Sequence, residues 1–295
     1  MLDTKALKRA EKIYIVLPKA LGDLIACEPI PRYLKRLNPN AKIIWVADKS
    51  YQEFLSANPN VDTVETVSSW GDAFEFIKKH PDEIIVDCCY DEKICPLTSA
   101  VHQNNNRPDI NEKTYYDNGT LLETFSMVAG LPALKEGPVF YNIKEVENLP
   151  EKYVVFHPLS SEACRCWEQQ KWQALAEELF KKDIHIVELG YENQVISDSP
   201  FYHNFTHKRD LFEIADIIQK ASLFVGVDSG FAHIANAVQT KSVILLGRYR
   251  NFICPMPYNG FFEKNATLLY AQNNSTVKDL TPEEVLSAIF DTGIF

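Results

Sequence analysis

Eight short runs, apolar at most positions, set the tightest limit on how this chain can fold. They are "KIYIVL" (12–17), "KIIWV" (42–46), "TVETV" (63–67), "EIIVD" (83–87), "KYVVF" (152–156), "IHIVEL" (184–189), "SLFVGV" (222–227) and "SVILL" (242–246). Runs of this kind suit strands covered on both faces, and helix-like stretches separate them. Strand–helix alternation predicts an α/β fold built on doubly wound parallel sheets. The rhythm resets at "LPALKEGPVFYNIKEVENLPEK" (131–152), which holds three prolines and many charges. That stretch reads as the end of one domain and a linker into the next. Two Rossmann-like domains facing a cleft are expected, residues 1–147 and 148–295. "TPEEVLSAIF" (281–290) closes the chain as a helix, with Thr281 as N-cap, Pro282 at the first position and acids in the first turn. It can stay on its own domain or pack back on the N-terminal one.

The chain has 295 residues, of which 46% are hydrophobic and 24% charged, and a net charge of −10. That balance argues against a nucleic-acid partner, which needs a broad basic face. It leaves room for anionic ligands at a local arginine or a helix N-terminus. No apolar run reaches the ~18 residues of a membrane helix. The start, "MLDTKALKRAEK", lacks the apolar core of a secretory signal. A cytoplasmic protein is expected. Lys5, Lys8, Arg9 and Lys12 could touch an anionic membrane surface, though a solvated helix is the simpler reading. The seven cysteines form no C-x-x-C pair, so reduced thiols are expected and a zinc ribbon is not.

Four places carry chemistry. "GVDSGFAHIANA" (226–237) reads as strand, turn and helix, with Asp228 and Ser229 as candidate caps. Gly230 allows close approach of a ligand, and the first amides of the helix make an anion site at the strand's C-terminal end. A well-capped packing helix, with His233 an ordinary polar residue, is the plainer alternative. The serine is misplaced for a lipase-type elbow, and the dinucleotide fingerprint and P-loop are absent. In "LPKALGDLIACEPIPRYLKRL" (17–37), Gly22 and Asp23 sit at another strand-to-helix turn. Asp23 either takes a proton from a substrate hydroxyl or charges the first turn of its helix. "HPLSSEACRCWEQQKW" (157–172) offers the hydroxyls of Ser160 and Ser161 and the guanidinium fork of Arg165. Trp167 and Trp172 in it are expected to pack. "ELGYE" (188–192) offers Glu192, either on ribose hydroxyls or in solvent. The Asn-rich region from Tyr90 to Asp117 is a long polar loop, either functional or disordered.

Taken in order, these four elements resemble glycosyltransferase family 9, the lipopolysaccharide heptosyltransferase-like proteins of GT-B fold. The resemblance covers most of the chain and is weakest over about residues 90–145. It implies an inverting, metal-independent transfer of a sugar, typically heptose from ADP-heptose, to a lipopolysaccharide core or related surface glycan. It implies no cofactor beyond the nucleotide-sugar co-substrate. Asp23 becomes the general base. Ser160, Ser161 and Arg165 hold the donor pyrophosphate, Glu192 meets the ribose, and Asp228, Ser229, Gly230 and His233 line the donor site. Lys19, Gly22, Arg107 and Lys113 are the acceptor-side candidates. The glycolipid acceptor implies peripheral contact with the inner membrane. A GT-B-like nucleotide-sugar epimerase or hydrolase, or a non-catalytic nucleotide-sugar-binding protein, are the alternatives. The chain departs from the family's usual pattern in having Arg165 for lysine, serines for threonines, and Arg248-Tyr249-Arg250 after "SVILLG".

Overall fold

A computed structural model describes residues 2–104, 106–250, 252, 258–272 and 275–295. They divide into two compact units. The first runs to Tyr141 and takes in Phe252, Tyr258 and Asn259; the second starts at Asn142 and holds the rest. Residues 142–147, counted with the first domain from sequence, belong with the second. Val146 N–H donates to Asp216 Oδ2 at 2.8 Å, and Lys144 pairs with Asp210 at 2.7 Å. Those local bonds outweigh the continuity of the linker.

In the first unit, β1 (Lys12–Val16), β2 (Lys42–Asp48), β3 (Thr63–Val67) and β4 (Ile85–Asp87) form a parallel sheet ordered β3-β2-β1-β4. Helices α1 (Thr4–Arg9), α2 (Leu21–Ala26), α3 (Pro29–Leu37), α4 (Gln52–Ser56), α5 (Trp70–Lys79) and α6 (Leu121–Val128) accompany it. In the second unit the sheet is also parallel, with six strands. These are β5 (Tyr153–His157), β6 (His185–Glu188), β7 (Tyr202–Asn204), β8 (Leu223–Val227), β9 (Ser242–Leu246) and β10 (Ala266–Tyr270), ordered β10-β9-β8-β5-β6-β7. Helices α7 (Gln169–Phe180), α8 (Leu211–Lys220), α9 (Gly230–Ala237), α10 (Phe262–Asn265) and α11 (Pro282–Asp291) complete it.

All eight apolar runs become strands. The two strands they did not reveal, β7 and β10, are the outer strands of their sheet. Their residues are only part-buried or exposed, so they lack the continuous apolar signature of the fully buried β5, β8 and β9. Helix α11 is capped as read: Thr281 Oγ1 accepts from Glu284 N–H at 3.2 Å, and Glu284 Oε2 accepts from Thr281 N–H at 2.7 Å. Val285, Ala288 and Ile289 seat it in the second unit's own core beside Trp167 and Trp172. Those tryptophans meet edge to face at 5.1 Å, and Trp167 Nε1 donates to Leu280 O at 2.9 Å.

The Asn-rich region is folded onto the end of β4, apart from Asn105, which lies outside the described residues. His102 Nε2 meets Asp87 Oδ2 at 2.8 Å and stacks on Phe74 at 4.7 Å. Asn104 Nδ2 donates to the carbonyls of Cys89 and Val128, and its N–H donates to Asp91. Buried polar bonds stand in for the apolar periodicity this stretch lacks. Cys27, Cys88, Cys89 and Cys95 are buried thiols; Cys254 lies outside the described residues. Among the described residues no helix is long and apolar enough to cross a membrane.

Candidate functional site

The second unit builds its site where β5 and β8 lie side by side, with His157 opposite Gly226. A Cβ on Gly226 would fall 2.9 Å from His157 O and from the Phe224 ring, so only glycine lets the strands run this close. The loop after β5 and the turn after β8 therefore leave the sheet together, at the C-terminal ends where open α/β sheets bind ligands.

The turn does not use its side chains as expected. Ser229 is the N-cap of α9, but its side chain makes no capping bond. Asp228 accepts from Arg165 Nη1 at 3.0 Å. The Oγ atoms of Ser229 and Ser160 are buried with no hydrogen-bond partner among the described residues. A buried hydroxyl without a partner costs roughly 1–3 kcal/mol. Two of them flank an ion pair at a helix N-terminus that has no side-chain cap. This is a cradle with donors for an anion.

Arg165 ends a short 3₁₀ turn (Ala163–Arg165). Cys166 stitches that loop: its thiol lies 3.3 Å from Ser160 N–H, which donates to it, and 3.4 Å from Ser160 O. The Arg165 guanidinium also lies over the Tyr249 ring at 4.8 Å. His233 is buried, and burial pushes its pKa down to about 4; the charge of Arg165 adds to this while that of Asp228 opposes it. His233 is thus a neutral imidazole near neutral pH. His157, not singled out from sequence, is equally buried and also pushed down to about 4 by burial. It stacks on Phe231 at 4.1 Å and donates from Nδ1 to Leu189 O at 3.1 Å. Its only sequence signal was its place at the end of a strand.

The structure thus brings together Arg165, Ser160, Asp228, Ser229, Gly230 and His233. Ser161 and Glu192 are exposed. The carboxylate that shapes the loop after β6 is Glu188, which accepts from the N–H groups of Gln194 and Val195 and from Tyr202 OH. Burial holds its pKa above the usual carboxylate range.

In the first unit, Asp23 lies in the first turn of α2, beside Gly22. Its Oδ2 accepts from Ala20 N–H at 3.2 Å, so it does charge the helix start. It is only part-buried. Lys19 pairs with Asp48 at 2.9 Å, and that bond, with Ser50, holds the Asp48 carboxyl down at about 2. Arg107 is engaged by Asp109 through two bonds of 2.8 and 2.5 Å, and Lys113 is exposed. The sequence reading passed over Tyr90, Lys93 and Glu112. Lys93 Nζ donates to Tyr90 OH at 2.5 Å, and Tyr90 OH donates to Glu112 Oε2 at 2.7 Å. Tyr90 stacks on Tyr115 at 4.6 Å, and burial suppresses its ionisation, with Tyr115, Glu112 and Asp23 adding to the effect.

The model of glycosyltransferase family 9 (heptosyltransferase) matches residues 134–283, a stretch holding every donor-side residue named above. This chain belongs to glycosyltransferase family 9. It is 30% identical over 107 residues to lipopolysaccharide heptosyltransferase 3 of Escherichia coli, a match taking in 33% of this chain and 32% of that protein. The chain therefore spans about a third of that curated relative. The crystal structure of a family 9 glycosyltransferase from Veillonella parvula superposes with a TM-score of 0.69 at 15% identity, covering 96% of this chain and 97% of that one. The Escherichia coli heptosyltransferase WaaC with ADP gives a TM-score of 0.66 at 16% identity, covering 95% and 99%. The two parallel sheets and these neighbours give this family 9 member the GT-B fold.

Proposed function

We propose that this protein is an inverting glycosyltransferase that moves a heptose from a nucleotide-activated donor to a saccharide acceptor of the lipopolysaccharide core class. The observation that carries the reading is the cradle of Arg165, Ser160, Ser229 and the first turn of α9, with its two unpartnered buried hydroxyls. ADP-heptose is the first candidate donor, because one solved relative, WaaC, holds ADP in one structure and an ADP-linked fluoro-heptose in a second.

The donor diphosphate would take bonds from Ser160 and Ser229, from Arg165 and from the α9 amides. The part-buried carboxylate of Asp23 would take the proton of the acceptor hydroxyl. That oxygen then bonds to the anomeric carbon from the face opposite the leaving group, and the carbon–oxygen bond to the diphosphate breaks. Charge developing on the diphosphate falls on donors already in place, which is where fixed dipoles stabilise most. Arg165 and the helix N-terminus supply this without a divalent metal. An acceptor linked to lipid would bring the enzyme to the cytoplasmic face of a membrane.

A thermal-shift screen against ADP-, UDP-, GDP- and CMP-sugars tests the donor, since a ligand of the folded state raises Tm. Arg165→Ala should weaken that shift. Asp23→Asn should abolish transfer yet keep donor binding, and full turnover by that variant refutes the assigned base. NMR of the donor incubated alone separates transfer from epimerisation or hydrolysis, because a transferase converts little without acceptor.

A further inference from the structure

The Arg248-Tyr249-Arg250 run sets this chain apart from its family's usual pattern, and the structure gives it a job. Tyr249 is 9% exposed, and two guanidiniums lie against its ring. Arg165 sits over it at 4.8 Å and Arg250 at 5.2 Å. Each guanidinium is tied to a carboxylate: Arg165 to Asp228 at 3.0 Å, and Arg250 to Glu162 at 3.2 Å. Glu162 lies three residues before Arg165 in the same loop. The run is itself braced. A Cβ on Gly247 would come within 2.0 Å of Val277 N, so the backbone entering the run is pressed against Val277. Arg248 N–H then donates to Ser275 O at 2.8 Å, and Arg248 Nε donates to Arg250 O at 3.0 Å. Arg250 takes the left-handed backbone conformation (φ 49°) that non-glycine residues adopt only where their surroundings hold them there.

Stacking fixes the plane of a guanidinium and occupies none of its N–H donors. We propose that Tyr249 is a positioning residue for the donor diphosphate. Its ring sets the plane of the Arg165 guanidinium, and Arg250, clamped to Glu162, sets the ring. The two arginines tolerate each other because Asp228 and Glu162 offset their charge. The inference rests on the donor reading above and adds a residue that the loop after β5 does not contain.

The test is calorimetric titration with ADP, UDP, GDP and CMP, using whichever binds the wild type. Tyr249→Leu keeps the bulk and loses the π face. Its expected loss of affinity is roughly 3- to 30-fold, the range a cation–π contact of this kind supplies. Tyr249→Phe restores the ring and should restore affinity. Because Tyr249 acts through Arg165, Y249L added to R165A should cost no further affinity. Arg250→Gln, which leaves the ring in place, should weaken binding in the same direction and by less; it decides the matter if Y249L fails to fold. Unchanged affinity in both Y249L and R250Q overturns the proposal. So do strictly additive losses in Y249L and R165A, which would mean the ring acts by packing alone. A wild type that binds none of the four nucleotides refutes the donor reading itself, and this inference with it.

Discussion

Acid should unfold the second unit from its own site outward, and two buried histidines set the size of the effect. His157 and His233 have pKa values of about 4 in the folded chain against 6.5 for the free side chain. Between those values the unfolded state binds more protons than the folded one, so stability falls as pH drops from 6.5 towards 4. Below 4 both states carry the proton and the loss levels off. At about 1.4 kcal/mol per pKa unit, a shift of about 2.5 units costs roughly 3 kcal/mol per histidine. Two such groups remove roughly 7 kcal/mol, an amount within the ~5–15 kcal/mol that holds a typical domain. His203, lowered but partly exposed, adds a little in the same direction. Glu188 works the other way, because its raised carboxyl pKa favours the folded state as pH falls. Urea titrations at pH 7.5, 6.5, 5.5 and 4.5, followed by circular dichroism, measure the slope. Wild type should lose stability steeply across this window, and His233→Gln and His157→Gln should each flatten it by up to ~1.4 kcal/mol per pH unit. Equal slopes in all three proteins would refute the argument that burial keeps these imidazoles neutral.

Ser160→Ala and Ser229→Ala remove hydroxyls that have no partner among the described residues. Each should leave Tm unchanged or raise it while weakening nucleotide-sugar affinity on the order of 3- to 10-fold, a trade that thermal shift and calorimetry read together. Gly226→Ala should destabilise by roughly 1–3 kcal/mol, because its Cβ meets His157 O at 2.9 Å; a urea midpoint equal to wild type counts against that crowding. Asn104→Ala removes the donor to the buried Cys89 carbonyl and leaves that of Val128 the 3.4 Å bond from Asn106, and should cost roughly 1–3 kcal/mol and expose the 90–117 segment to limited proteolysis.

The cluster of Ser160, Arg165, Asp228 and Ser229 was legible in sequence as a candidate because these residues follow strand ends, and strand ends are marked by where an apolar run stops. Asp228 was the exception in kind. Sequence offers Asp before a helix as a cap, since capping is local, and does not show that Arg165, 63 residues away, donates to it. Glu188 and Glu192 show the same limit. Glu188 ends β6 and Glu192 follows it, and only the packing of Tyr202 against β6 shows that Glu188 is the buried one and Glu192 the exposed one. On the acceptor side, Lys19 and Arg107 were picked for their charge, and the structure pairs both with carboxylates. Tyr90, Lys93 and Glu112 stayed hidden because no periodic pattern joins residues 22 positions apart in a polar loop.

The sequence by itself determined two parallel α/β sheets, the turn at Asp228 and the family the chain resembles, because apolar periodicity and motif spacing are properties of neighbours along the chain. Only the tertiary structure decided what those residues touch. It paired Asp228 with Arg165, left Ser229 at the start of α9 and Ser160 in the loop after β5 without hydrogen-bond partners among the described residues, and set two arginines against Tyr249. The Arg165 contacts with Asp228 and Tyr249 join distant segments, fixed by packing and burial rather than by any local preference.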